Sequence, residues 1–248
     1  MYTRNLMGTD FSLTTVLFVT GIAYLLGSFP TAYLAAKSRG IDIYKVGTGQ
    51  AGMTNVFREV SHFLAAVVFF TDSAKGLLAL IIARQFGMHS EWLLVPGFAV
   101  ILGHWNSPFA GFRGGDGVAA LTGVGLGFAP AALGIPYTIV FVITSVFSIN
   151  KKLRHPTLWG AIAGYLAFLA VSFVPAFEMT AIETLGFTGL GVAILVHSYV
   201  YRRRRKGKLA AALIEAVDDE DMQLPERESA LSTNDANQAD AGMSERRA

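Results

Sequence analysis

The chain has 248 residues, of which 52% are hydrophobic and 15% charged, with a formal net charge of +2 and no cysteine. An ordinary water-soluble domain carries about 25% charge, so this composition excludes one; the missing cysteine excludes disulfides, a thiol nucleophile and a thiolate-bound metal. The apolar residues fall in long blocks suited to bilayer helices of roughly 20 residues, not in the alternation of about ten residues that marks barrel strands. Only those two folds satisfy the backbone in lipid, so the expected fold is an all-α polytopic membrane protein.

In chain order, residues 1–12 are a short N-terminus, and the apolar run behind them lacks a small-residue cleavage site, which makes it a retained first span. Seven spans are expected, at 13–36, 63–83, 92–110, 118–133, 135–149, 158–174 and 182–201. The fourth and fifth are short and meet at Gly134 between Pro130 and Pro136, which suits a tight helical hairpin or one long kinked element. Alternate connections of a seven-span chain lie on opposite sides. One side receives Lys37, Arg39, Lys45, Arg58, Arg113, Lys151, Lys152, Arg154 and the basic run 202–206; the other receives Arg4 and Arg84 with Glu91, Glu178 and Glu183. Lysine and arginine collect on the cytoplasmic side, which predicts an external N-terminus and a cytoplasmic C-terminus. Residues 13–207 then form the membrane domain and 208–248 a cytoplasmic tail. Within the tail, 209–217 suits a short surface helix, whereas 218–248 is acidic and polar and cannot bury enough apolar area to order itself.

The least lipid-like connection is the loop 40–58. Its glycines at 40, 47, 49 and 52 surround Thr48, and Thr54, Asn55 and Arg58 follow at the spacing of a helix's first turns. Small residues let backbone N–H groups turn toward an anion, and a helix N-terminus adds its dipole; a plain glycine-rich connection has the same composition. A second patch on the same side runs from Gly103-His104-Trp105 to Arg113-Gly114-Gly115-Asp116-Gly117, again glycines beside a cation. Asp72 and Lys75 stand at i and i+3 in the second span, where ionisable residues are rare. They either pair with each other or reach the loops. His197 sits in the last span ahead of Tyr199, Tyr201 and the basic run, which by itself is an interfacial anchor. No metal site is expected, because no His or carboxylate pair has ligand spacing.

Taken together, Gly27-Ser28-Phe29-Pro30, the loop 40–58, Asp72 with Lys75-Gly76, and Leu102-Gly103-His104 through Gly117-Val118-Ala119 resemble the bacterial membrane-embedded glycerol-3-phosphate acyltransferases that use acyl phosphate. The resemblance covers residues 13–207. It implies seven helices in the bacterial plasma (inner) membrane, an active site facing the cytoplasm, and no cofactor. It further implies transfer of the acyl group from acyl phosphate to the 1-hydroxyl of glycerol 3-phosphate, giving lysophosphatidate and phosphate for phospholipid synthesis. The partners implied are those two substrates, membrane lipid and a companion enzyme that forms acyl phosphate, with no nucleic acid. Carried over position by position, Thr48, His104 and His197 take catalytic places. Gly47, Gly49, Gln50, Thr54, Asn55, Arg58, Arg113, Gly114 and Gly115 take substrate-binding places.

The chain departs from the family at several of these positions. Thr48 and Gln50 stand where the family has serine and asparagine, and Tyr44 replaces an arginine beside Lys45. Val200 stands at an asparagine. Asp116 replaces the lysine of Gly-Gly-Lys-Gly, with Arg113 the nearest substitute cation. A unit charge pair at 4 Å is worth about 4 kcal/mol at an effective dielectric near 20, so an anion at a phosphate site weakens it strongly. Three functions fit these residues: an acyltransferase with a modified phosphate site, a divergent paralogue acting as a lipid- or partner-binding membrane scaffold, and a small-solute transporter. The absence of an inverted repeat and the one-sided polar clustering argue against the last.

Overall fold

The computed structural model describes residues 11–129, 134–150, 156–172, 174, 180–207 and 210–212. They form α1 (Leu13–Ser28), α2 (Thr31–Lys37), α3 (Met53–Glu59), α4 (His62–Gln85), α5 (Leu94–Trp105), α6 (Val118–Phe128), α7 (Ile135–Asn150) and α8 (Pro156–Ser172), followed by α9 (Ala181–Ala212). The chain divides into two units, Met1–Ser198 and Tyr199–Ala248. In the second, residues 199–207 and 210–212 are helical and carry the basic run 202–206. The expectations for the N-terminal residues 1–10 and for the tail at 213–248 fall outside the described residues.

Several expected spans are shorter or broken, each for a local reason. The first is interrupted at Phe29, whose φ of −60° and ψ of 118° leave the helix. Pro30 has no amide proton and disfavours helical backbone in the residue before it. The carbonyls freed there are taken up from elsewhere: Ser107 Oγ donates to Ser28 O, and Lys75 Nζ donates to Phe29 O at 2.6 Å. The third stops at Trp105 rather than 110, because Asn106 leaves helical backbone and Pro108–Ala110 forms a short 3-10 turn. α6 ends at Phe128 and α7 is a separate helix, so one long kinked element is not formed. Three stretches, Leu13–Lys37, His62–Gln85 and Ala181–Ala212, have the length and hydropathy to cross a membrane. The apolar helices α6, α7 and α8 are shorter, and α6, with 11 residues, rises only about 16 Å.

Glycines set the closest helix pairs, as expected where small residues must let backbones meet without a hydrophobic drive. A Cβ on Gly27 of α1 would strike Val100 O of α5, and one on Gly103 would strike Tyr24 O. Between α4 and α6, Gly76 faces Ala120 O and Gly123 faces Ser73 O in the same way. Farther along that pair, Arg84 Nη2 donates to Gly127 O (3.1 Å) and Phe128 O (2.8 Å), closing the C-terminus of α6 with a cation. The outer surface is apolar, with Phe18, Phe63, Phe70, Ile143 and Leu185 more than half exposed, the pattern of a lipid-facing wall.

The first unit holds two cores. The larger joins α1 and α4–α9 around Val100, Ile101, Val124, Tyr137 and Phe187. The smaller lies under the loop 40–52 and consists of Ala32, Ala36, Ile43, Ala51, Val56, Ala65 and Val68. The glycine-rich connection is therefore a packed element with its own core.

Candidate active site

The loop 40–52 is shaped by one buried side chain. Asn55 Nδ2 donates to Ile43 O (3.0 Å), Val46 O (3.2 Å) and Gln50 O (3.0 Å), and its Oδ1 accepts from Thr48 N (3.0 Å). Gly47 and Gly49 take positive φ values of 49° and 71°, and a Cβ on Gly47 would collide with Asn55 Oδ1. The loop thus closes around Asn55 from α3, and Thr48 Oγ1 accepts from Gln50 N at 3.4 Å within the same turn. Two polar atoms of this segment stay buried with no hydrogen-bond partner: Gln50 Nε2 and Thr54 Oγ1. A buried donor or acceptor left unpaired costs about 1–3 kcal/mol, which a polar ligand would offset.

The second patch docks onto the first. Ala51 N donates to Gly114 O (3.0 Å) and Gly115 N donates to His104 O (3.2 Å). A Cβ at Gly114 would strike His104 O, and one at Gly115 would strike both Ala51 O and His104 Nε2. The two glycines are needed for this approach. Trp105 holds the patch from the other side: its Nε1 donates to Asp116 O at 2.8 Å, and its ring stacks on His197 with centroids 4.3 Å apart and planes 5° from parallel.

Below these loops lie two small polar cavities with a common wall. Each has a volume of only about 10 Å3; one is bordered by Ser28, Tyr44, Ser107, Arg113, Gly114 and Gly115, the other by Gly52, Thr54, Asp116 and Val118. Asp72 and His104 border both. Asp72 Oδ1 accepts from Lys75 Nζ at 2.5 Å and lies 4.0 Å from His104 Nδ1. Both alternatives raised for this pair therefore hold: Asp72 and Lys75 pair with each other, and they also reach His104 and the α1–α2 break.

The predicted site residues separate into groups. His104, Arg113, Gly114, Gly115 and Thr54 border the cavities. Thr48, Gly47, Gly49, Gln50 and Asn55 form the closed turn beside them, Arg58 is exposed in the last turn of α3, and His197 meets Trp105. Val200 falls in the second unit. Arg113 packs over the Tyr44 ring, 4.2 Å from its centroid, and borders the cavity that Asp116 does not. Asp116 Oδ1 accepts from Val118 N at 3.2 Å, so the carboxylate occupies the N-terminus of α6, a favourable place for an anion. Trp105 and Ser107 were missed in the sequence; the Gly-His-Trp run at a span end was the available signal for the first, while Ser107 had none.

A sequence model of the family described as glycerol-3-phosphate acyltransferase matches residues 17–207. Similar relatives include the glycerol-3-phosphate acyltransferase of Geobacter sulfurreducens, 34% identical over 77% of this chain and 94% of its own length. Glycerol-3-phosphate acyltransferase 1 of Deinococcus radiodurans is 38% identical over 62% and 77% of the two chains. Two crystal structures of PlsY, an integral membrane glycerol 3-phosphate acyltransferase, share the fold. The glycerol 3-phosphate form has a TM-score of 0.62 and 29% identity, and the lysophosphatidic acid form 0.58 and 28%; each covers 79% of this chain and 92% of its own. With a family match over most of the membrane core and a relative aligned over nearly its full length, the chain belongs to the glycerol-3-phosphate acyltransferase family of multi-pass membrane enzymes.

Proposed function

We propose that the chain transfers an acyl group from acyl phosphate to the 1-hydroxyl of glycerol 3-phosphate, at the cytoplasmic face of a bacterial inner membrane. The hydroxyl oxygen attacks the acyl carbon, the bond from that carbon to the bridging phosphate oxygen breaks, and the hydroxyl proton leaves with inorganic phosphate. The lysine and arginine asymmetry supports seven crossings with an external N-terminus. The short helices α5 to α8 then serve as tilted or partial crossings.

What carries the reading is the shared wall. Two adjoining spaces lined by polar side chains share His104 and Asp72 as a wall, the placing that two phosphate-bearing substrates need if their reacting atoms are to meet. Val118 borders one of them and also a mainly apolar groove of about 130 Å3, which suits an acyl chain. Catalysis then rests on holding the reactants together and on donors aimed at developing charge: the turn built on Asn55, the unpartnered groups of Gln50 and Thr54, His104, and Arg113. Thr48, Arg58 and His197 complete the set implied by the family. Asp116 favours a second reading, a paralogue that binds lipid without turnover, because it puts an anion beside the space that Thr54 and His104 line.

Purified protein in lipid, supplied with acyl phosphate and glycerol 3-phosphate, should release inorganic phosphate and form lysophosphatidate. Absence of release with every donor, and indifference to Thr48→Ala and Arg58→Ala, would overturn the transferase reading in favour of the scaffold.

A further inference from the structure

The apolar groove has a readable direction and a bottom. At its upper end Ile194 Cγ1 lies 3.6 Å from the Cβ position of Gly117, beside the polar cavities, and Val118 belongs to both spaces. At its lower end Phe187 Cζ lies 3.3 Å from the Cβ position of Gly125. α9 therefore runs antiparallel to α6 along the groove, and the seven residues from Ile194 to Phe187 measure about 10 Å at 1.5 Å per residue. The side walls are Ile162 and Leu166 of α8 and Val192 and Leu195 of α9, over Leu121 and Tyr137.

Two features interrupt this wall. The first is a polar crossbar at the lower end. Tyr165 Oη and Thr188 Oγ1 are 2.8 Å apart, and Thr188 Oγ1 already donates to Thr184 O at 2.6 Å. The threonine proton is thus committed, Tyr165 is the donor, and α8 is tied to α9 across the groove. The second is Gly191, one turn above Thr188 on the groove-facing stripe of α9. A Cβ built there meets nothing within 4 Å. The other helical glycines at tight packing points are filled by a neighbouring backbone or side chain; Gly191 opens onto empty space that the groove continues through.

We propose that Gly191 and the Tyr165–Thr188 crossbar set the acyl-chain length that this enzyme accepts: Gly191 keeps the middle of the groove passable, and the crossbar stops the chain end. This rests on the acyltransferase reading, since it assigns the groove to the donor's chain. A side chain at 191 displaces the methylenes beyond it. Each buried methylene is worth about 0.8 kcal/mol, or about fourfold in affinity.

The test compares butanoyl, octanoyl and hexadecanoyl phosphate with the wild-type chain, Gly191→Leu and Gly189→Leu in lipid. Gly189 is equally open but does not border the groove. The wild-type chain should gain kcat/KM from butanoyl to octanoyl phosphate and little from octanoyl to hexadecanoyl, because the groove above the crossbar is about 10 Å long. Gly191→Leu should remove most of the butanoyl-to-octanoyl gain, at about fourfold per displaced methylene, while Gly189→Leu keeps the wild-type profile. An equal loss at every length, or the same shift from Gly189→Leu, would overturn the assignment. A non-hydrolysable alkyl phosphonate with a diazirine near its chain end gives a readout independent of turnover. Labelling of the wild-type protein should fall on α8 and α9 peptides around Tyr165 and Thr188, and labelling elsewhere refutes the groove. If no donor releases phosphate yet that labelling is found, the transferase reading fails and the groove's occupant stands.

Discussion

Replacing Asp116 tests whether its charge governs the phosphate site. In Asp116→Asn the side-chain carbonyl still accepts from Val118 N, as Oδ1 does now, while the negative charge is gone. In Asp116→Lys both the acceptor and the favourable sign at the α6 N-terminus are lost. A bound phosphate in the cavity that Asp116 shares with Thr54 and His104 would lie within several Å of the carboxylate. At roughly 8 Å and an effective dielectric of about 20, unit charges repel by about 2 kcal/mol, a factor of about 30 in affinity. Asp116→Asn should therefore lower the KM of one phosphate substrate by about 30-fold with little change in unfolding temperature. Asp116→Lys should lower KM further but cost about 1–2 kcal/mol of stability, from the lost cap and a cation at a helix N-terminus. The assay is steady-state phosphate release with each substrate varied in turn, alongside thermal unfolding in detergent. Unchanged KM values for both substrates in both variants, with folded protein, would refute the electrostatic reasoning.

Three further outcomes are expected. Asn55→Ala strands four backbone groups of the loop and, at about 1–3 kcal/mol for each one left buried and unpaired, should open residues 40–52 to limited proteolysis and abolish activity. Trp105→Phe keeps a ring against His197 but removes the bond to Asp116 O; a loss of about 1 kcal/mol should appear as a raised KM, with kcat less affected. Lys75→Met leaves Asp72 buried without its partner and should cost about 3–5 kcal/mol in thermal unfolding. The double variant Asp72→Asn with Lys75→Met should recover much of that, and a double variant no better than the single would show that the pair's charge is not what matters.

Much of this protein was legible from local sequence. Hydropathy is a property of contiguous residues, so the helical membrane fold and the places of α4, α7 and α8 followed from it within a few residues, whereas the first span breaks at Phe29, the third stops at Trp105 and the last runs on past 201. Glycine clusters beside cations marked the two loops, and Pro30 marked the break at Phe29. Other features depend on which residues meet through space, and only the tertiary structure decided them. Asn55 carries a family substrate-binding place, yet the structure turns its amide inward to hold its own loop, because three loop carbonyls and one N–H converge on it. Lys75 reaches a carbonyl freed 46 residues away. Trp105 gains its two contacts only once α9 and the 113–117 loop are brought to it. The groove and its crossbar arise between α8 and α9, whose separate sequences read only as apolar. Helix identity is written in composition and period, whereas cavities depend on the register between helices, which here is set by glycines that let one backbone rest on another.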